Sequence, residues 1–389
     1  MLIVPTSVLF ITISQMGFPI AITKFVAEGK KSHKRILFSV TFMSLLINLF
    51  LIILLFFLSP YLSNYLVSSK KLIYPLLTIG LIIPLTSISS IIRGYFFGRE
   101  KMLPQGVSNF LEQLTRFLFI ILFVPKILKN YNIIFAVIGL LIANALGEVV
   151  SIIVYLFFLP KNVNIKKEDL KPDVGYIKDT LRISIPTTGS RLIGSFSYFF
   201  EPIIITYSLL KVGLSQEFII QEYGVLTGFI TPFLFLPFFF IQAISTAVIP
   251  AISKAYGNNN LERAKRLLKK SLLLSFLIGF FVNIIMFIFP KELLKFIYKT
   301  TNGLEYIRYL IPFYFIDYFR VPLVSSLQAI GKTKGVMYNT FISSVLKLIS
   351  LLTLPQLGLD FYGVILAIGI ENITLVYLDF LHVKKEGLL

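Results

Sequence analysis

Along this chain the polar positions read as punctuation between long apolar runs. Such runs cover residues 1–22, 36–58, 72–97, 104–125, 132–158, 178–208, 218–250, 271–290, 303–330, 335–355 and 361–383. Stretches of about 20 apolar residues match the hydrocarbon thickness of a bilayer, and a soluble core does not call for them. The pattern predicts an all-α polytopic membrane protein with about eleven transmembrane helices. The first run has no basic leader and no small-residue cleavage site, so it reads as a span and not as a signal peptide. The longest connection, 159–177, is polar and carries two prolines. It is read as a cytoplasmic linker between an N-terminal lobe, 1–158, and a C-terminal lobe, 178–389, that ends in a short tail.

The runs repeat. Ala21-Ile22-Thr23-Lys24 ends the first span and Ala251-Ile252-Ser253-Lys254 ends the seventh, each followed by a basic segment. Gly98-Arg99-Glu100-Lys101 and Gly331-Lys332-Thr333-Lys334 link two spans apiece, and each is followed by a helix ending in Phe-Val-Pro or Thr-Leu-Pro. Arg116 and Lys347 fall at nearly equivalent places in those helices. Both echoes share one offset, and six spans separate the copies, so the halves keep one orientation. Such a parallel repeat about the membrane normal is a common transporter plan. It predicts two pseudo-symmetric six-helix lobes, with the first lacking its first helix. The partner of 178–208 would precede Met1, and on this pattern the chain is expected to be short by one N-terminal span.

Composition narrows the chemistry. Hydrophobic residues make up 56% of the 389 and charged residues 14%, well below the quarter usual in soluble domains. The formal charge of +18 would suit nucleic acid, but its distribution reports topology instead. Lys24, Lys30, Lys31, Lys34 and Arg35 follow the first span and a six-base segment from Lys254 to Lys270 follows the seventh. Lys211 alone follows the sixth, and no base follows the tenth. The positive-inside rule then places the modest-sized basic loops and the C-terminus in the cytoplasm, and the first residues outside. No nucleic-acid partner is expected. With no cysteine, and with His33 and His382 both near basic span ends, no metal site is expected either. There is no GxxxxGK[ST] loop, no paired-carboxylate or Ser/His/Asp set in a soluble part, and so no enzyme and no cofactor is predicted.

Several stretches carry a family resemblance: "TLRISIPTTGSRLIGSF", then "GLSQEFIIQEYGVLTGFITPFLFLPFFFIQAISTAVIPAISKAYG", with "GFPIAITKFVAEG" and "RGYFFGREKMLPQGVSNFLEQLTRF". The chain resembles the stage V sporulation protein B group of polysaccharide-type flippases, in the multidrug/oligosaccharidyl-lipid/polysaccharide exporter superfamily that includes the lipid II flippases. The resemblance implies two lobes around a central cavity, alternating access in the cytoplasmic membrane, and an undecaprenyl-linked saccharide or peptidoglycan precursor as cargo, in spore-cortex or cell-wall synthesis. The family commonly has fourteen helices. This chain departs from it by lacking the first and the final two, so a transport-inactive family member is one reading.

Charged residues inside the spans are the candidate machinery, because each costs about 2.5–3.5 kcal/mol at the bilayer centre on the insertion scale. Glu112 and Arg116, four apart, and Asp317 and Arg320, three apart, can pair along one helix face. Arg93 and Arg191 have no acidic residue at helical spacing and are candidates for a charge on another helix or on a ligand. In the sixth span, Ser184, Thr188, Arg191, Ser195, Tyr198 and Glu201 form one polar stripe, bracketed by Pro186 and Pro202. That stripe is expected to face an aqueous cavity. The substrate-binding candidates are therefore Arg191, Arg93, Ser184, Thr188, Ser195, Tyr198, Glu201, Arg116 and Glu112. Arginine suits a pyrophosphate because its planar donor fork matches the oxyanion. The alternative is a cation-coupled multidrug-type exporter, with Glu201, Glu222 or Glu371 as the ion or proton site.

Overall fold

The computed structural model describes residues 3–28, 32–67, 72–99, 101–159 and 171–389. Most of the 159–177 linker, and loop positions such as Ser68 and Lys166, lie outside the described residues. Among the described residues the chain is helical, with no strand. Two compact units emerge, Leu2–Ser195 and Phe196–Leu389, and each is taken by itself.

The first unit holds α1 (Ile3–Gln15), α2 (Phe18–Glu28), α3 (His33–Val67), α4 (Ile73–Gly98), α5 (Leu103–Asn130), α6 (Ile133–Phe158) and the first part of α7 (Val174–Lys211). α1 and α2 together make the first predicted span, broken at Met16 and Gly17, whose φ angles are 42° and 63°. Glycine takes that left-handed backbone without a Cβ penalty, and Pro19 just beyond cannot continue the hydrogen-bond ladder. α4 is central: it packs on α1, α2, α3 and α6. Where it meets α2, Gly94 and Gly98 stand one turn apart. A Cβ on Gly94 would lie 2.7 Å from the Pro19 carbonyl oxygen, and one on Gly98 2.6 Å from Val26 Cβ. Small residues let two membrane helices approach to backbone contact, and Thr23 Oγ1 uses that closeness to donate to the Gly94 carbonyl at 3.1 Å.

The second unit holds the rest of α7, then α8 (Gln216–Val225), a π turn (Leu226–Ile230), α9 (Thr231–Leu234), α10 (Leu236–Gly257), α11 (Leu261–Ile288), α12 (Pro290–Tyr298), α13 (Leu304–Asp317), α14 (Arg320–Ala329), α15 (Thr333–Thr353) and α16 (Asp360–Lys385). The seventh predicted span is α8 to α10, bent by 45° at Phe235. Pro232 and Pro237 each remove a backbone donor there, which is the usual cause of a sharp kink. The bend leaves the Leu234 carbonyl for a side chain, and the fully buried Tyr318 hydroxyl donates to it at 2.9 Å. Broken helices survive in hydrocarbon only where a neighbour restores such bonds.

Helix pairings recur between the units. α2 packs on α4 as α10 packs on α14, α5 on α6 as α15 on α16, and α4 on α6 as α13 and α14 pack on α16. The repeat read in the sequence is therefore a repeat of packing. Nine helices among the described residues are long and apolar enough to cross a membrane, and the bent α8–α10 makes ten. α5, the fourth predicted span, is a 28-residue helix but falls outside that set. Its Glu112, Gln113, Thr115 and Arg116 dilute the apolar character, and it buries Ser108 and Glu112 while exposing Phe110, Phe117 and Ile121.

Candidate functional site

Each unit encloses charge clustered between its helices. In the first, Arg116 Nη2 on α5 reaches Glu112 Oε1 at 2.6 Å and Glu148 Oε1 on α6 at 3.1 Å. The approach is possible because Gly147 offers no side chain: a Cβ there would sit 2.7 Å from Arg116 Nε. Beside this triad Ser108 and Ser151 share a hydrogen bond at 2.7 Å, and Ser89 and Ser151 another at 3.2 Å. Arg93 on α4 is half-buried, its charge reaches the Glu148 carboxylate, and its buried Nε has no partner among the described residues. Two bases therefore face two acids.

In the second unit Lys347 Nζ on α15 lies 2.8 Å from Glu201 Oε2 on α7 and 2.7 Å from Glu371 Oε2 on α16. Tyr223 on α8 donates its hydroxyl to Glu201 Oε1 at 3.3 Å. Tyr198, half-buried one turn before Glu201, adds a second phenol near the same carboxylate. The plan repeats that of the first unit: a base on α5 or α15, held between two carboxylates, one of them from the helix that follows, α6 or α16. The charges differ, because here two carboxylates face a single ammonium.

The polar stripe of α7 divides between the units. Ser184, Thr188 and Ser195 are buried. Thr188 Oγ1 donates to the Ser184 carbonyl at 2.6 Å, and Ser195 shares a hydrogen bond with Thr12 on α1 at 2.9 Å. These are contacts within and between helices, the ordinary use of small hydroxyls in membrane proteins. Tyr198 and Glu201 continue into the Lys347 cluster. Arg191, midway along α7, is exposed and makes no ion pair or side-chain hydrogen bond among the described residues.

Other expected pairs are rearranged. Glu112 and Arg116 pair as their spacing predicts. Arg320 does not pair with Asp317: its Nε lies 3.7 Å from Asp379 Oδ2 on α16, and Asp317 Oδ1 is buried with no hydrogen-bond partner among the described residues. Tyr318 and Phe319 keep right-handed backbone angles between α13 and α14, so the span stays helical and it is packing against α16 that draws the Arg320 side chain to Asp379. Asp379 is completed by Asn339 Nδ2 at 2.7 Å, and Asn339 Oδ1 lies 3.1 Å from His382 Nδ1. Glu222 lies apart from Glu201 and Glu371. It lines a cavity of about 540 Å³ with Lys291, Asn302, Glu305 and Tyr306. Among the described residues no group of three or more His, Asp and Glu is placed to hold a metal ion.

A family model described as polysaccharide biosynthesis protein matches residues 1–256, two thirds of the chain, and one described as MatE matches residues 227–352. The chain belongs to the polysaccharide biosynthesis protein family. Within the family's reach, it is 33% identical over 392 residues to stage V sporulation protein B of Bacillus subtilis (strain 168), covering 97% of this chain and 75% of that one. It is 22% identical over 424 residues to the lipid II flippase MurJ of the same organism, covering 97% and 74%. A solved structure described as the inward-facing conformation of a multidrug resistance MATE family transporter of the MOP superfamily superposes with a TM-score of 0.74 at 19% identity, over 98% of this chain and 87% of that one. That likeness establishes the two-lobed transporter fold. This member of the polysaccharide biosynthesis family is a multi-pass membrane protein of the flippase and exporter type, not an enzyme. Lys347, the centre of its most enclosed ion pair, was visible in the sequence only as the echo of Arg116.

Proposed function

We propose that the chain carries a lipid-linked saccharide across the cytoplasmic membrane by alternating access, in cell-wall or spore-cortex synthesis, with its C-terminus in the cytoplasm. The observation that carries this reading is Arg191. An arginine in the middle of a long membrane helix, exposed and unpaired among the described residues, needs water or an anion to offset the cost of its charge. A pyrophosphate between lipid and sugar supplies such an anion, and the guanidinium fork meets it with two parallel donors. Arg93, with its unpartnered Nε, is the second candidate for the same group. The kinship to stage V sporulation protein B and to a lipid II flippase supports the cargo class. The basic loops support the orientation.

The test follows outer-face accessibility of lipid-linked precursor in cells or vesicles. Arg191→Ala is expected to abolish flipping at normal protein level, and Arg191→Lys to retain part of it. Normal flipping by Arg191→Ala at normal level removes this residue from the site.

The cation-coupled exporter is the second reading, and the Lys347 cluster favours it. Two enclosed carboxylates share one ammonium, leaving capacity for a further proton or cation. Glu201→Gln separates the two: a coupled exporter fails, while a flippase that uses Glu201 for packing keeps substantial activity.

A further inference from the structure

The Ala-Ile-Ser-Lys motif that ends at Lys254 lies outside the proposed cargo site. In the structure it borders a cavity of about 380 Å³ lined by Ala251, Lys254, Ala255, Asn258, Asn260 and Arg263. The hairpin that forms it is tightly framed. Backbone N–H groups of Asn258, Asn259 and Asn260 donate to the carbonyls of Lys254, Tyr256 and Ala255 at 3.2, 3.0 and 2.9 Å. Asn259 turns the chain with a φ of 55°, and the Asn260 side chain accepts from the Arg263 backbone N–H at 3.0 Å. Ala255, Ala264 and Leu268 anchor the hairpin in an apolar cluster with Leu323, Leu327 and Val383.

The frame is satisfied, and its two cations are not. The Lys254, Ala255 and Tyr256 carbonyls near the end of α10 already have donors, so the Lys254 ammonium is not needed to cap them. Lys254 and Arg263 are exposed, and their side chains make no ion pair or hydrogen bond among the described residues. Glu262, the one carboxylate of the segment 251–270, sits 3.8 Å from Lys265. From this pocket one face of α11 runs through the exposed Arg263, Arg266 and Lys270 to the exposed Leu273, Leu277, Phe281 and Ile284. Bases therefore lead, at helical spacing, into an open apolar track.

We propose that this pocket binds the phosphodiester headgroup of an anionic phospholipid, whose acyl chains lie along that face of α11. A soluble phosphate shares the headgroup chemistry but has no use for the track, and basic pockets at the cytoplasmic ends of membrane helices suit acidic lipid heads. The proposal is independent of the cargo.

The experiment titrates dioleoyl phosphatidylglycerol and dioleoyl phosphatidylcholine against the detergent-solubilised full chain, with bound lipid read by native mass spectrometry. Phosphatidylglycerol is expected to bind at least about tenfold tighter. Each base at a membrane surface contributes about 1 kcal/mol, roughly fivefold, so Lys254→Gln with Arg263→Gln is expected to weaken phosphatidylglycerol binding about 25-fold. Lys211→Gln with Lys291→Gln, the same charge change elsewhere, is expected to shift it less than about twofold. The charge-keeping pair Lys254→Arg with Arg263→Lys retains binding. Should the neutral double variant not fold, that pair and the salt dependence of the unaltered chain decide, since about 1 M salt screens such contacts strongly. Equal affinity for the two lipids, or unchanged binding by the folded neutral variant, overturns the proposal. Displacement of phosphatidylglycerol by equimolar glycerol 3-phosphate overturns it too, in favour of a soluble phosphate.

Discussion

Lys347 on α15 and Glu201 on α7 meet at 2.8 Å with only 12% and 7% of their side chains exposed. Glu371 closes on the same ammonium from α16 at 2.7 Å. An ion pair held this far from water returns its desolvation cost through geometry, and losing one partner strands the other. Two carboxylates depend on this one lysine.

Lys347→Met is accordingly expected to destabilise the chain by about 3–5 kcal/mol, the range for breaking a buried pair. Adding Glu201→Gln and Glu371→Gln to Lys347→Met should recover most of that loss, because an uncharged cluster no longer needs the ammonium. Denaturant unfolding in mixed detergent micelles measures both. A single Lys347→Met as stable as the unaltered chain would falsify the view that this cluster holds α7, α15 and α16 together.

A second prediction concerns backbone contact in the first unit. Gly94 and Gly98 on α4 face the Pro19 and Thr23 carbonyls and Val26 of α2, where an added Cβ would lie 2.6–2.9 Å from atoms that include main chain. Main chain cannot swing aside as a long side chain can. Gly94→Ala and Gly98→Ala are each expected to cost about 1–3 kcal/mol, the usual range for overpacking. Gly106 on α5 has nothing within 4 Å of a built Cβ, so Gly106→Ala should be neutral or stabilising by up to about 1 kcal/mol. The contrast between these alanines, read by unfolding of the full chain, separates packing from helix propensity.

The spans were legible because hydrocarbon imposes one rule on every helix, but helices also run past the apolar runs: α3 extends to Val67 and α11 begins at Leu261, beyond the predicted 36–58 and 271–290. The repeat was legible as well, since Lys24 and Lys254, or Arg116 and Lys347, keep their places in the two halves. What the sequence hid depends on tertiary partners. Helical spacing offers Asp317 to Arg320, but packing against α16 gives Arg320 to Asp379, a partner 59 positions away whose approach no local spacing announces. The stripe of α7 was legible as a stripe. Spacing could not say that Ser195 would meet Thr12, that Glu201 would meet Lys347, and that Arg191 would have no ion pair or side-chain hydrogen bond among the described residues.

The final prediction tests orientation, which rests on the asymmetry of the basic loops. Asn259 is exposed in the α10–α11 hairpin, and Ser215 is exposed at the start of α8, at the two ends of the bent seventh span. With the bent segment read as one crossing, the two sites are expected on opposite sides of the membrane. The chain has no cysteine, so a single introduced thiol is labelled without background. Asn259→Cys and Lys166→Cys are expected to react with an impermeant maleimide only after the cytoplasmic face is opened, and Ser215→Cys and Ser68→Cys in intact cells. Ser215 also caps α8 by accepting from the Phe218 N–H at 3.3 Å. Glu217→Cys, two residues further on and exposed, gives the same answer without losing the cap, which is worth about 1 kcal/mol. Labelling of Asn259→Cys and Lys166→Cys from outside would invert the orientation. It would also place the Lys254 and Arg263 pocket against the outer leaflet, where a phosphatidylglycerol requirement would have to be met by lipid of that leaflet.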